Sequence, residues 1–120
     1  MNTTLRRLTI LSRYFILSMI ILGANQVLPT SLKVFIMTEG GKPVASATVR
    51  IFESKDAYIE GKEPLKLDQT NNKGKVWFSR LQPVPYYIEA YKGDMNNDGL
   101  TVITESLTAN WVNKINIVIK

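Results

Sequence analysis

Short runs with an apolar residue at every second position, each closed by Gly, Pro, Asn or Asp, constrain this chain more than any other feature. Successive side chains on a strand point to opposite faces, so such runs are half-buried strands and not helices. Leu32–Thr38 (LKVFIMT) alternates and stops at Glu39-Gly40-Gly41-Lys42-Pro43. In Ala47–Phe52, Ala47, Val49 and Ile51 share one face, and Thr48, Arg50 and Phe52 share the other. Ser54–Pro64 is polar and reads as a longer loop with one helical turn near Asp56–Tyr58. Leu65–Thr70 is read as a strand with Leu65 and Leu67 inward, ended by Asn71-Asn72-Lys73-Gly74. Lys75–Arg80, Tyr86–Lys92, Leu100–Glu105 and Lys114–Ile119 complete the set. Short strands at this spacing, with no amphipathic helix between them, predict a seven-stranded antiparallel Greek-key β-sandwich.

The first residues follow another logic. Residues 1–13 are polar and basic, Tyr14–Ala24 (YFILSMIILGA) is almost wholly apolar, and Asn25 and Gln26 follow. A basic start, a short apolar stretch and small residues before a polar segment describe a secretory signal. The stretch falls short of the roughly 20 apolar residues that span a bilayer. An uncleaved anchor is the competing reading, because Leu22 stands three residues before the expected cut, where a small residue is usual. The expected organisation is a signal peptide over 1–24, a linker over 25–31 and the sandwich over 32–120. The expected location is secreted or periplasmic, with no stable membrane anchor after cleavage.

Composition removes several functions. The chain has no cysteine and no histidine, which excludes disulfides, thiolate metal sites, a lipid-bearing cysteine and a histidine base or ligand. Of 15 Lys and Arg, Arg6, Arg7 and Arg13 lie before residue 33, leaving 12 basic residues against 10 acidic ones. These are interspersed along the sequence and form no basic stripe, so nucleic acid is not an expected partner.

Three stretches resemble a known group. They are Gly41-x-Pro43-Val44-Ala45-x-Ala47-x-Val49, then Thr70-x-x-x-Gly74-x-Val76-x-Phe78-x-x-Leu81, then Leu81-x-Pro83-x-x-Tyr86-x-Ile88-x-Ala90. In this order they resemble carboxypeptidase regulatory-like domains, over roughly residues 32–92. The resemblance implies a transthyretin-like sandwich acting as a non-catalytic accessory in exported proteins, with a protein or glycan partner at the cell envelope. Val84 departs from the pattern, where the group often has glycine after proline. Val76, Phe78, Tyr86, Ile88 and Ala90 alternate onto a buried face, and Tyr86 has the place of a tyrosine corner, whose hydroxyl bonds nearby backbone. Two active relatives are set aside. Transthyretin-like hydrolases use histidines, and isopeptide-forming pilin sandwiches use a buried Glu where this chain has Ala90, leaving Lys33 and Asn116 without a proton carrier.

Two candidate sites remain. Asp94-Met95-Asn96-Asn97-Asp98-Gly99, with Glu105, fits the spacing of a calcium loop. Calcium takes oxygen ligands, and Asp94, Asn96, Asp98 and the Leu100 carbonyl are its candidates. A strand after Leu100 would carry Glu105 away from such an ion. A plain hairpin turn uses the same residue types and is the favoured reading. The second candidate is an aromatic face of Trp77, Tyr87 and Tyr91, placed together if their strands are neighbours, and suited to sugar or protein binding. Cross-strand pairing or cover by the Ser54–Pro64 loop accounts for the same rings without a ligand. Trp111 is expected to anchor the last loop in the core. No carboxylate pair or Ser–Lys pair sits in a catalytic motif, so an enzyme is not expected.

Overall fold

The computed structural model describes residues 27–120; the expected signal peptide over 1–24 and the start of the expected linker lie outside them. Eight strands and one short helix follow in order: β1 (Ser31–Met37), β2 (Thr48–Phe52), α1 (Lys55–Ile59), β3 (Lys66–Gln69), β4 (Lys75–Phe78), β5 (Tyr87–Lys92), β6 (Met95–Asn96), β7 (Val102–Ile103) and β8 (Val112–Val118). They form two sheets, so the chain is an all-β, sandwich-like domain. One sheet has the order β4-β1-β8, and the other β3-β2-β5-β6 with β7 also paired to β5.

The alternating residues meet between the sheets. Leu32, Val34 and Ile36 of β1, Val76 and Phe78 of β4, Val49 and Ile51 of β2, and Ile88 and Ala90 of β5 are all buried in one core. Removing this apolar surface from water supplies the main drive for folding.

Three details differ from the expected pattern. There are eight strands among the described residues where seven were expected, Met95–Asn96 adding β6 as a hairpin partner of β5. β1 and β8 run parallel, from Ser31↔Val112 to Met37↔Val118, because β8 enters from the other sheet at the end where β1 begins. Leu65 and Leu67 are 47% and 55% exposed, not inward. β3 pairs with β2 so that Leu67 faces Arg50 on the outer side, while Lys66 and Asp68 take the inner positions opposite Ile51 and Val49. A one-residue change of register exchanges the faces of a whole strand, and at this sheet edge the inner positions are polar.

The resemblance motifs hold the crossings between sheets. Thr70, buried, donates from Oγ1 to the Val44 carbonyl and accepts from the Ala47 N–H. Gly74 has φ +75°, and a Cβ there would stand 2.7 Å from the Ile36 carbonyl oxygen. Tyr86 is fully buried, and its hydroxyl accepts from the Gln82 N–H at 2.9 Å, which is the expected corner.

Candidate functional site

The three aromatic residues do not share a face. Trp77 lies on β4, whereas Tyr87 and Tyr91 lie on β5 in the other sheet. The chain crosses between sheets after Phe78, so consecutive strands in sequence are not neighbours in space. Tyr87 faces outward beside Phe52, its register partner on β2. Ser54 caps α1 by accepting from the Ala57 N–H, and the helix carries Tyr58 over both rings. Its centroid lies 5.8 Å from Phe52, edge-on, and 6.1 Å from Tyr87. The Arg50–Glu89 ion pair, at 3.6 Å, lies on the same outer side. Much of this face is occupied by the loop and its own side chains.

The opposite face is open. Register partners on neighbouring strands point to the same side. Trp77, Lys33 and Lys114 therefore form one row across β4, β1 and β8, and Lys75, Phe35 and Asn116 form the next. Trp77 is 48% exposed, with the Lys33 ammonium 5.0 Å from its ring centroid, a cation–π arrangement. Lys33, Phe35, Lys75, Lys114 and Asn116 line a shallow depression. Partial burial lowers the Lys33 pKa from its ordinary value, and the neighbouring charges of Lys75 and Lys114 lower it further. None of β1, β4 and β8 contains an Asp or Glu.

Reading along the sequence misses this cluster. Lys33, Lys75 and Lys114 are each separated by some forty positions, and only the antiparallel β1–β4 and parallel β1–β8 pairings bring them together. The signal present in the sequence is that these three runs carry lysine and no acid.

The Asp94–Gly99 segment is divided between two turns. Gly93, with φ +56°, and Asp94 form the two-residue link between β5 and β6. Asn96 Oδ1 accepts from the Asp98 N–H at 2.9 Å, and the Leu100 N–H bonds to the Asn97 carbonyl around Gly99, whose φ is +87°. The candidate ligands Asp94, Asp98 and Leu100 are exposed, and Glu105 lies beyond strand β7. Among the described residues no three acidic side chains gather to hold an ion.

Asn97, passed over as a spacer in that motif, is 2% exposed. Its Oδ1 accepts from the Ala90 N–H at 3.0 Å and its Nδ2 donates to the Ile88 carbonyl at 2.9 Å. The side-chain amide thus fills the gap along β5 between β6 and β7. Trp111 is 62% exposed and does not anchor the core. Its loop is held instead by the Ser31 N–H on the Trp111 carbonyl and by Asn113, whose amide bonds the Thr108 backbone.

No protein-family model matches the chain, and no curated protein matches it. Among solved structures, the Bacillus anthracis TIE protein is similar over 78% of this chain, with a TM-score of 0.58 and 14% identity. The chain covers 16% of that protein's length. The likeness is one of fold.

Proposed function

We propose that this chain is an exported, non-catalytic binding module of the carboxypeptidase regulatory-like kind, and that it meets its partner through the outer face of β4, β1 and β8. The carrying observation is Trp77, half-exposed in an open row with Lys33 and Lys114. A large amphipathic ring held on a rigid sheet gives contact area at low entropic cost, and the surrounding core is fully committed to packing. Export rests on residues 1–24. The regulatory-like assignment is supported by the structural duties of its motif residues: Thr70 and Gly74 at a crossing, Leu81 in the core, and Tyr86 at the corner.

Lysine acetylation footprinting tests the binding face. In the presence of an envelope fraction from the source organism, Lys33, Lys75 and Lys114 are expected to be protected, while Lys55 and Lys62 on the far side keep their reactivity. Equal reactivity of all five with and without the fraction would overturn the reading.

A further inference from the structure

The face just described contains cations and no anion. Every acidic residue among the described ones lies on β2's sheet, on the connecting loops or in α1. The ion pairs follow the same division: Arg50–Glu89 and Lys62–Glu60 lie on the far side, and Lys120–Glu39 lies past the ends of β8 and β1. Lys33, Lys75 and Lys114 take part in none of them. Lys33 stands over the exposed Trp77 ring, and Lys33, Lys75 and Lys114 together line the adjoining depression, on strands that lie about 4.8 Å apart. The Lys33 pKa is lowered first by desolvation and then by the charges of Lys75 and Lys114. Gathering like charges without a counter-charge costs free energy. An anionic ligand would relieve it.

We infer that the ligand of this face is an acidic polysaccharide, whose carboxylate or sulfate groups pair with Lys33, Lys75 and Lys114 while one sugar ring lies on Trp77. This inference rests on the reading that the face is the binding surface. The chemistry favours a polyanionic sugar over the other polyanions. Of the two rings in these rows Phe35 is half-buried and Trp77 is the open one; one open ring suits one sugar, whereas single-stranded nucleic acid is held by stacking successive bases on several rings. An anionic bilayer takes up amphipathic surfaces that bury an apolar face below their charges, but here the Lys33 ammonium stands over the Trp77 ring itself. A repeating polymer also offers many equivalent binding registers, which compensates for the small area of one face.

The test is fluorescence titration of Trp111→Phe protein, in which Trp77 is the sole tryptophan. The probes are polygalacturonate, neutral dextran, an oligothymidylate and phosphatidylserine vesicles, at low and at physiological salt. Polygalacturonate is expected to change Trp77 emission, less so as salt screens the charges, and dextran to leave it unchanged. Combining Lys33→Gln, Lys75→Gln and Lys114→Gln is expected to weaken binding about tenfold, since three exposed ion pairs together are worth about that much. Lys55→Gln with Lys62→Gln is expected to change nothing. No response to polygalacturonate, an equal response to dextran, or stronger binding to the oligonucleotide or vesicles would overturn the inference, as would an unaffected triple variant. If footprinting still protects the three lysines while polygalacturonate fails, the ligand class falls and the binding face stands.

Discussion

Asn97 shows how much of this domain rests on single polar side chains. It is buried and makes two side-chain hydrogen bonds to β5, so Asn97→Ala leaves two ladder groups unpaired. Such groups are expected to cost about 2–3 kcal/mol, read as a lower denaturant midpoint. Asp98→Ala next to it, at an exposed position, is expected to fall within about 0.5 kcal/mol of the parent. The same geometry bears on calcium. Asn96 Oδ1 is already bonded to the Asp98 N–H, and adding calcium or chelator is expected to leave the melting temperature unchanged; a rise with calcium would restore the ion-binding reading. Gly74 is a second point of rigidity. Gly74→Ala combines a positive φ with a 2.7 Å approach to Ile36 backbone, and is expected to cost more than about 2 kcal/mol. Gly41→Ala, with φ +83° and open space around it, is expected to cost about 1 kcal/mol. Tyr86 adds a pH limit. Burial raises its pKa above the ordinary 10.0, although the Gln82 N–H on its hydroxyl pulls the other way. Burial likewise raises Tyr58, with Asp98 and Glu89 adding to it. With the folded value above the unfolded one, this stability is fully present below pH 10 and is lost as pH climbs through the folded value. Chemical unfolding repeated across that range is expected to show the loss, reduced in Tyr86→Phe.

At the scale of elements, the strands were legible because period-two alternation marks a half-buried strand directly: Val34, Val49, Val76 and Ile88 are all in the core as the pattern required. The helical turn expected near Asp56–Tyr58 lies within α1, and the structure adds Ser54 as its cap. What alternation does not carry is which strands are neighbours. Trp77 and Tyr87 stand on consecutive long strands but belong to different sheets, so the expected aromatic cluster dissolves. The orientation of Leu65 and Leu67 was illegible for a related reason. A pattern of two leucines fixes that they share a face, and the pairing with β2 decides which face. β6 was missed because two residues are too few to alternate, although Gly93-Asp94 supplies the turn chemistry for a hairpin. The cover given by α1 has its own consequence. Tyr58→Ala removes two ring contacts, from Phe52 and Tyr87, and is expected to destabilise by about 1–2 kcal/mol. It should also speed protease cleavage within 54–64, which gel analysis of limited proteolysis would read.

Over the whole molecule, the fold sorts charge that the sequence interleaves. Acidic residues and their partners collect around the larger sheet and the loops, and an acid-free face with Trp77 and three lysines remains on the smaller one. That arrangement exists only if β1 pairs with β4 in one direction and with β8 in the other. Backbone and side-chain proton–proton contacts in an isotope-labelled sample measure this most directly. Expected are close contacts between the Trp77 ring and the Lys33 methylenes, together with parallel-strand contacts linking β1 and β8 in the Val34↔Ile115 register. Finding Lys33 remote from both Trp77 and Lys114, or β8 running antiparallel to β1, would contradict the shared face and the binding role built on it.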